Sequence, residues 1–290
     1  MQTNLEHKDW KGSTGGTRWM QVSLVKILAS IDQRVLYSVV ALFVAPLYMI
    51  IHHKEYLSQY HFFRQRFGES WYKAFWHTYV NHYRFGQVIV DRFAVFGGKK
   101  FKLEIAEMAM WRELENQEEG FVQISSHIGN YEMAGYLLKA KNKMFNALVF
   151  HGETETMMNN RGRVFTNNNI RMVPVSPDMS HIFTLNNALA DGEIVSMPGD
   201  RIFGSQKSLA IPFLGEVAKF PLGPFQLAAA RGCKMVAVFC MKKDWQTYEV
   251  TIKVIEGEKA KDLGQKFVSE LESVVRQYPT QWFNYFDFWK

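Results

Sequence analysis

The chain has 290 residues, of which 47% are apolar and 15% aromatic, and its 34 basic and 28 acidic residues leave a formal net charge of +6. That length suits one catalytic domain with an appended helical segment and a sizeable core. The modest positive excess suits an anionic membrane surface or an acidic carrier protein, and with no arginine-rich helix or zinc-knuckle spacing nucleic acid is not an expected partner.

Residues 1–18 are polar and contain glycine, which predicts an extended lead-in. Residues 19–96 read as a helical, membrane-associating segment. Val35 to Ile51 is an uncharged run preceded by Asp32 and Arg34 and followed by His52-His53-Lys54. It is at the lower limit for a spanning helix, and Pro46 weakens it further. A spanning anchor, an in-plane amphipathic helix and a buried helix of the main domain all remain open readings. From Glu55 to Phe96 the pattern is helical and aromatic. Phe75, Tyr79 and Tyr83 keep a spacing of four, which favours packing over a lipid groove. His77 and His82 are five apart and do not make a helical metal pair. The first apolar run begins too far in, and lacks a small-residue cleavage site, for a secretory signal peptide to be expected.

After Gly97-Gly98 short apolar runs alternate with helical stretches. Strands are predicted at Phe121–Ser125, Ala147–His151, Arg171–Val175, Glu193–Met197, Met235–Met241 and Tyr248–Ile255. Helices are predicted near 130–142, 154–166, 179–191, 221–231 and 262–278. The alternation predicts an α/β domain over 97–290, with a largely parallel or mixed central sheet flanked by helices. Cys233 and Cys240 are seven residues apart in one apolar stretch and would face opposite sides of a strand. They read as free thiols in a reducing, cytoplasmic compartment.

The chemistry concentrates in Ser125-Ser126-His127-Ile128-Gly129-Asn130-Tyr131-Glu132. A histidine near its ordinary pKa can take a proton from a hydroxyl at neutral pH. A carboxylate within reach of its other nitrogen can fix the tautomer and stabilise the imidazolium. Five residues on a regular helix turn about 500°, so His127 and Glu132 cannot share one helical face. His127 must then sit in a strand-to-helix turn, with Gly129-Asn130 making the bend and Glu132 in the first turn of the helix. Unpaired N–H groups at that helix start could stabilise an oxyanion. No Gly-x-Ser-x-Gly elbow is present, so the acceptor itself is read as the nucleophile.

This element resembles the His-x4-Asp/Glu motif of glycerolipid and lysophospholipid acyltransferases, and the chain is most similar to their lipid A biosynthesis (late acyltransferase) branch. Further blocks fall in matching order: Trp10-Lys11-Gly12-Ser13-Thr14-Gly15-Gly16, Ser196-Met197-Pro198-Gly199-Asp200-Arg201, Ile211 to Pro224 with its Phe-Leu-Gly, Ala-x-Phe-Pro and Gly-Pro elements, and Tyr278-Pro279-Thr280-Gln281-Trp282-Phe283. The acidic partner is Glu132 where many relatives have Asp. The second block reads Gly-Asp-Arg where many have an Asp-Gln variant, and the tail lacks a frequent basic cluster. These departures bear on the acceptor.

The resemblance implies a glycerol-3-phosphate-acyltransferase-like fold and an acyltransferase of lipid A (lipopolysaccharide) biosynthesis on the cytoplasmic face of a bacterial inner membrane. It implies transfer of a fatty acyl chain from acyl carrier protein or coenzyme A to a hydroxyl of a lipid A-type glycolipid. No cofactor and no metal are implied. His127 would be the general base and Glu132 its orienting carboxylate. Asn130 either positions substrate or forms the turn. Arg161 and Arg163 resemble the family's basic block and suit phosphate, or form a solvated face. Arg201 could bind phosphate with Asp200 orienting it, or the pair could be a structural turn at a strand end. Rival readings are a lysophospholipid or amino-acid-lipid acyltransferase, a thioesterase or lipid hydrolase, and a non-catalytic membrane-binding protein.

Overall fold

In the computed structural model, which describes residues 18–138, 140–149, 169–176, 178–202 and 207–290, helices precede the first strand. These are α1 (Arg18–Ser30), α2 (Gln33–Val39), α3 (Ala45–Ile51), α4 (His53–Arg66) and α5 (Trp71–Phe96). Asp32 starts α2 by accepting a hydrogen bond from Arg34 N at 2.9 Å. Pro46, in the first turn of α3, has no N–H to give, and the chain between α2 and α3 widens into a π turn over Val40–Val44. The Val35–Ile51 run is therefore one apolar rod with a widened turn.

The other four helices pack along α5. Its buried residues include Ala74, Thr78, Asn81, His82, Val88, Asp91 and Arg92, so a polar row lies inside an otherwise apolar stripe. The aromatic stripe expected to pack is divided. Phe75 is exposed beside Trp71, Tyr72 and Trp76, while Tyr79 OH donates to Ala41 O on the π turn.

The α/β part follows as β1 (Lys102–Ile105), α6 (Met108–Asn116), β2 (Phe121–Ser125), α7 (Tyr131–Leu137), β3 (Phe145–Val149), β4 (Ile170–Pro174), α8 (Ser180–Ala190) and β5 (Ile194–Pro198). Next come β6 (Ser208–Phe213), β7 (Glu216–Pro221), α9 (Gly223–Arg231), β8 (Met235–Lys242), β9 (Thr247–Ile255) and α10 (Ala260–Gln277). Seven strands form one sheet in the order β1-β9-β8-β2-β5-β3-β4. Every pairing in it is parallel except β8 with β9. The six predicted strands are present, with ends shifted by a residue or two. The predicted helix over 154–166 lies outside the described residues.

Sequence reading missed β1 with α6, and the two-stranded β6–β7 hairpin. β1 is an edge strand of four residues, two of them charged. The hairpin turns on Leu214-Gly215, both at positive φ (51° and 86°). That is the backbone sign a two-residue hairpin turn requires, and Gly215 meets it without strain.

Sheet residues alternate between two cores, as the pleat dictates. Val122, Ile124, Ala237 and Phe239 face α9 and α10 together with Phe225, Phe267 and Leu271. Phe121, Val236, Val238 and Cys240 face the opposite side with Phe93, Trp111 and Met133. Every residue of β8 is buried, each large apolar one contributing roughly 1.5–3 kcal/mol. Cys240 packs in one core and Cys233 against the other, and both are free thiols.

Candidate active site

Strands β8, β2 and β5 are neighbours, and their carboxyl ends lie at one edge of the sheet. Such ends are favoured places for sites in open α/β sheets. β2 ends at Ser125, and the chain turns through His127 and Gly129 into α7, whose first turn carries Glu132. Gly129 has φ +60°, and a Cβ there would fall 2.2 Å from Cys240 O. The turn thus lies directly on the end of β8, where Asn130 N also donates to Cys240 O at 2.7 Å.

β5 ends at Pro198, and Gly199 N donates to Ser125 O at 2.8 Å, which brings Asp200 to the histidine. Asp200 holds His127 at two points. Oδ2 accepts the backbone N–H at 2.7 Å, and Oδ1 lies 2.9 Å from ring Nδ1. A buried carboxylate can only accept, so Nδ1 carries the proton and Nε2 keeps its lone pair. The His127 side chain is 18% exposed while that of Asp200 is buried, and Tyr131 stands edge-on to the imidazole at 5.2 Å.

Burial pushes the pKa of His127 down, Arg201 adds to this, and the attraction of Asp200 offsets only part of it. Burial acts to raise Asp200, but the charges of His127 and Arg201 and the hydrogen bonds from His127 hold its carboxyl below the usual range. At neutral pH the pair is therefore a neutral imidazole facing a carboxylate.

Glu132 is placed differently from the expectation. Its carboxylate pairs with Arg92 of α5 at 2.7 Å, with both side chains buried. The position orienting Nδ1 is held by Asp200, because the start of α7 turns Glu132 towards α5. Asn130 is part of the turn. Its Oδ1 accepts from Met133 N at 3.2 Å, capping α7, and its Nδ2 donates to Tyr248 OH at 3.2 Å. Arg201 is buried, donates Nη2 to Phe283 O at 2.9 Å, and lies 4.9 Å over the Phe286 ring. Arg161 and Arg163 lie outside the described residues.

Sequence reasoning missed that the C-terminal segment is a wall of the site. Phe283 N donates to His127 O at 3.0 Å and Gly129 N to Gln281 O at 2.8 Å, so the tail runs antiparallel to the histidine turn. Two buried amides bind the tail from the helices. Gln59 donates to Trp282 O and Asn284 O, and Asn81 donates to Trp282 O and Thr280 O. The available signal was polar residues such as Asn81 and His82 on the buried face of a helix. Among the described residues, no three His, Cys, Asp or Glu side chains converge as a metal site needs.

No curated protein is significantly similar to the chain. Among solved structures, that of the 1-acyl-sn-glycerophosphate (LPA) acyltransferase PlsC from Thermotoga maritima aligns over 91% of this chain and 99% of that one, at 14% identity and a TM-score of 0.41. The model of the bacterial lipid A biosynthesis acyltransferase family matches residues 87–290. That span runs from within α5 through the histidine turn, the Asp200 turn and the C-terminal wall, and the chain belongs to this family of acyltransferases.

Proposed function

We propose that the protein moves a fatty acyl chain from an acyl thioester to a hydroxyl of a lipid A-type glycolipid, with His127 Nε2 as general base. The observation that carries this is the double grip of Asp200 on His127, which fixes the tautomer and leaves Nε2 basic. The acceptor O–H gives its proton to Nε2 as its oxygen attacks the thioester carbonyl. The tetrahedral intermediate expels the thiolate, which takes the proton back from the imidazolium, and Asp200 stabilises the transient charge.

A protein nucleophile is disfavoured by position. Ser126 Oγ is buried and makes no hydrogen bond to the imidazole. Burial pushes the Cys240 thiol up, so it stays protonated. The basic balance of the chain suits an anionic donor, whether an acidic acyl carrier protein or the phosphate-bearing coenzyme A.

The apolar rod supports an in-plane membrane seat. One side, through Tyr37, Val40, Ala45 and Met49, is buried in the protein. The other exposes Leu42, Phe43 and Ile50 at 68%, 65% and 75%. α5 runs beside it carrying Lys73, Arg84, Asp91 and Arg92, and a spanning rod would drag those charges into the bilayer.

The test offers labelled acyl carrier protein and acyl-coenzyme A to the purified protein and its His127→Ala variant. Glycolipid, lysophospholipid and amino-acid-lipid acceptors are supplied in parallel. Acyl glycolipid formed by the parent and lost in the variant is the expected result. Product on another acceptor overturns the choice of glycolipid, free fatty acid alone overturns transfer, and equal transfer by both proteins overturns the base role.

A further inference from the structure

Beneath the histidine turn lies a buried polar hub that the proposed chemistry does not use. Asp91 of α5 is fully buried, and Lys242 Nζ, at the end of β8, lies 2.5 Å from its Oδ2. Tyr248 OH of β9 also donates to Oδ2, and Tyr37 OH of α2 donates to Oδ1. Lys242 Nζ donates to Tyr37 OH at 3.2 Å and lies near the faces of Tyr37, Phe101 and Tyr248, 4.8–5.5 Å from their centroids. A buried ion pair contributes little net stability compared with apolar residues of the same volume.

Two hydrogen-bonded routes lead from it to the turn. In the first, Asp91 holds Tyr248 OH, which accepts Asn130 Nδ2–H at 3.2 Å. Asn130 caps α7 with the other end of the same amide, so its rotamer and the start of that helix are set together. In the second, Asp91 holds the Lys242 side chain, while the Lys242 backbone is bonded in both directions by Gln281: N to Oε1 and O to Nε2, each at 2.9 Å. Gln281 O then accepts Gly129 N–H at 2.8 Å. Gly129 and Asn130 are the bend between His127 and α7, so each route ends within three residues of the imidazole.

We propose that Asp91 is a positioning residue for acyl transfer, fixing the His127 turn at two points through Tyr248 and Lys242. The proposal rests on the reading of His127 as the base. It places a polar group of the α2–α5 helical layer in control of a turn at the end of the sheet, rather than in the chemistry itself.

The test compares Tyr248→Phe and Asp91→Asn with Leu263→Val, a core change on the opposite face of the sheet beside Gly257, matched for loss of melting temperature. Tyr248→Phe keeps the ring and its edge-on packing with Phe101, so it remains informative if Asp91→Asn does not fold. The expected result is a kcat lowered about 10- to 100-fold, as a misplacement of about 1 Å produces, with the KM for the acyl donor within about twofold. Leu263→Val keeps the parental kcat at 25 °C. The His127 Nδ1 proton, read by NMR on the same proteins, shifts or broadens in Tyr248→Phe and not in Leu263→Val. A parental kcat together with an unshifted Nδ1 proton in Tyr248→Phe overturns the proposal. If the parent transfers acyl groups to none of the acceptors, the fault lies with the proposed reaction, and the NMR comparison alone decides the positioning role.

Discussion

Asp200→Asn changes almost no volume and tests the orientation of the base directly. The carboxylate accepts two hydrogen bonds, from His127 N at 2.7 Å and from ring Nδ1 at 2.9 Å. An amide can accept only one of them. If its oxygen meets Nδ1–H, its NH2 faces the backbone N–H, a donor against a donor in a buried place, which costs about 1–3 kcal/mol. If its oxygen meets the backbone N–H, its NH2 faces Nδ1, and the imidazole relieves the conflict by moving its proton to Nε2. The second arrangement is the less costly. It places a hydrogen on the nitrogen that must accept one. The variant should then lose the base contribution of roughly 10²–10⁴-fold in kcat, or about 3–5 kcal/mol of transition-state stabilisation. Initial rates of labelled acyl transfer at saturating donor give kcat, and a thermal melt checks that the fold persists. A folded Asp200→Asn with kcat within threefold of the parent would refute the reasoning.

Glu132→Gln leaves the Arg92 guanidinium buried against a neutral amide and should lower stability by about 3–5 kcal/mol, read as a lower denaturant midpoint. Arg92→Met combined with Glu132→Leu should recover much of that loss, and a double variant no more stable than either single change would count against the pair. The acid limb of kcat/KM should lie below 6.5, the ordinary histidine value. The neutral imidazole is the active form and its pKa is depressed, so activity is retained until pH falls through that lowered value; a limb above 6.5 would contradict the electrostatics. Leu42→Ser with Phe43→Ser should weaken flotation with anionic vesicles at least about tenfold, since burying each such side chain contributes roughly 1.5–3 kcal/mol, while the melting temperature barely moves because both are exposed. Unchanged flotation would place the membrane contact elsewhere.

The parts of this fold written in local pattern could be read from the sequence. Phe121–Ile124 and Met235–Phe239 are apolar runs because both faces of their strands are covered, and they announce the central sheet. β6 and β7 escaped notice because they form a separate two-stranded hairpin whose alternation is broken by Pro212 and Pro221. His127 was legible because the strand, the turn and the helix that present it are consecutive. Its carboxylate partner was not. Asp200 is 73 residues away and reaches the imidazole only because β5 lies beside β2, an adjacency that spacing does not encode. Glu132, five residues on, is the carboxylate that spacing alone offers. The tail was recognised as a block, yet its role as a wall depends on Gln59 and Asn81, which precede it by some two hundred residues.

The five-residue spacing of the motif acquires a physical meaning once both side chains are placed. His127 lies in the bend before α7 and Glu132 in the first turn of that helix, and Gly129 at positive φ reverses the chain between them, so the two side chains leave the bend in different directions. His127 faces Asp200 at the end of β5, and Glu132 faces Arg92 on α5. The turn is consequently held from both sides: by the sheet through Asp200 and Cys240 O, and by the helical layer through Arg92 and the Asp91–Tyr248–Asn130 chain. α5 touches the apolar rod along its length and reaches the histidine turn through Arg92. A rod lying in a bilayer surface would thereby set the height of the base above that surface, where the hydroxyl of a lipid acceptor is presented. Shortening the Arg92 arm with Arg92→Lys, which keeps the charge but loses the fork that fits a carboxylate, should lower kcat on bilayer-embedded acceptor more than on detergent-dispersed acceptor. Equal loss on both would mean that the pair serves the fold alone.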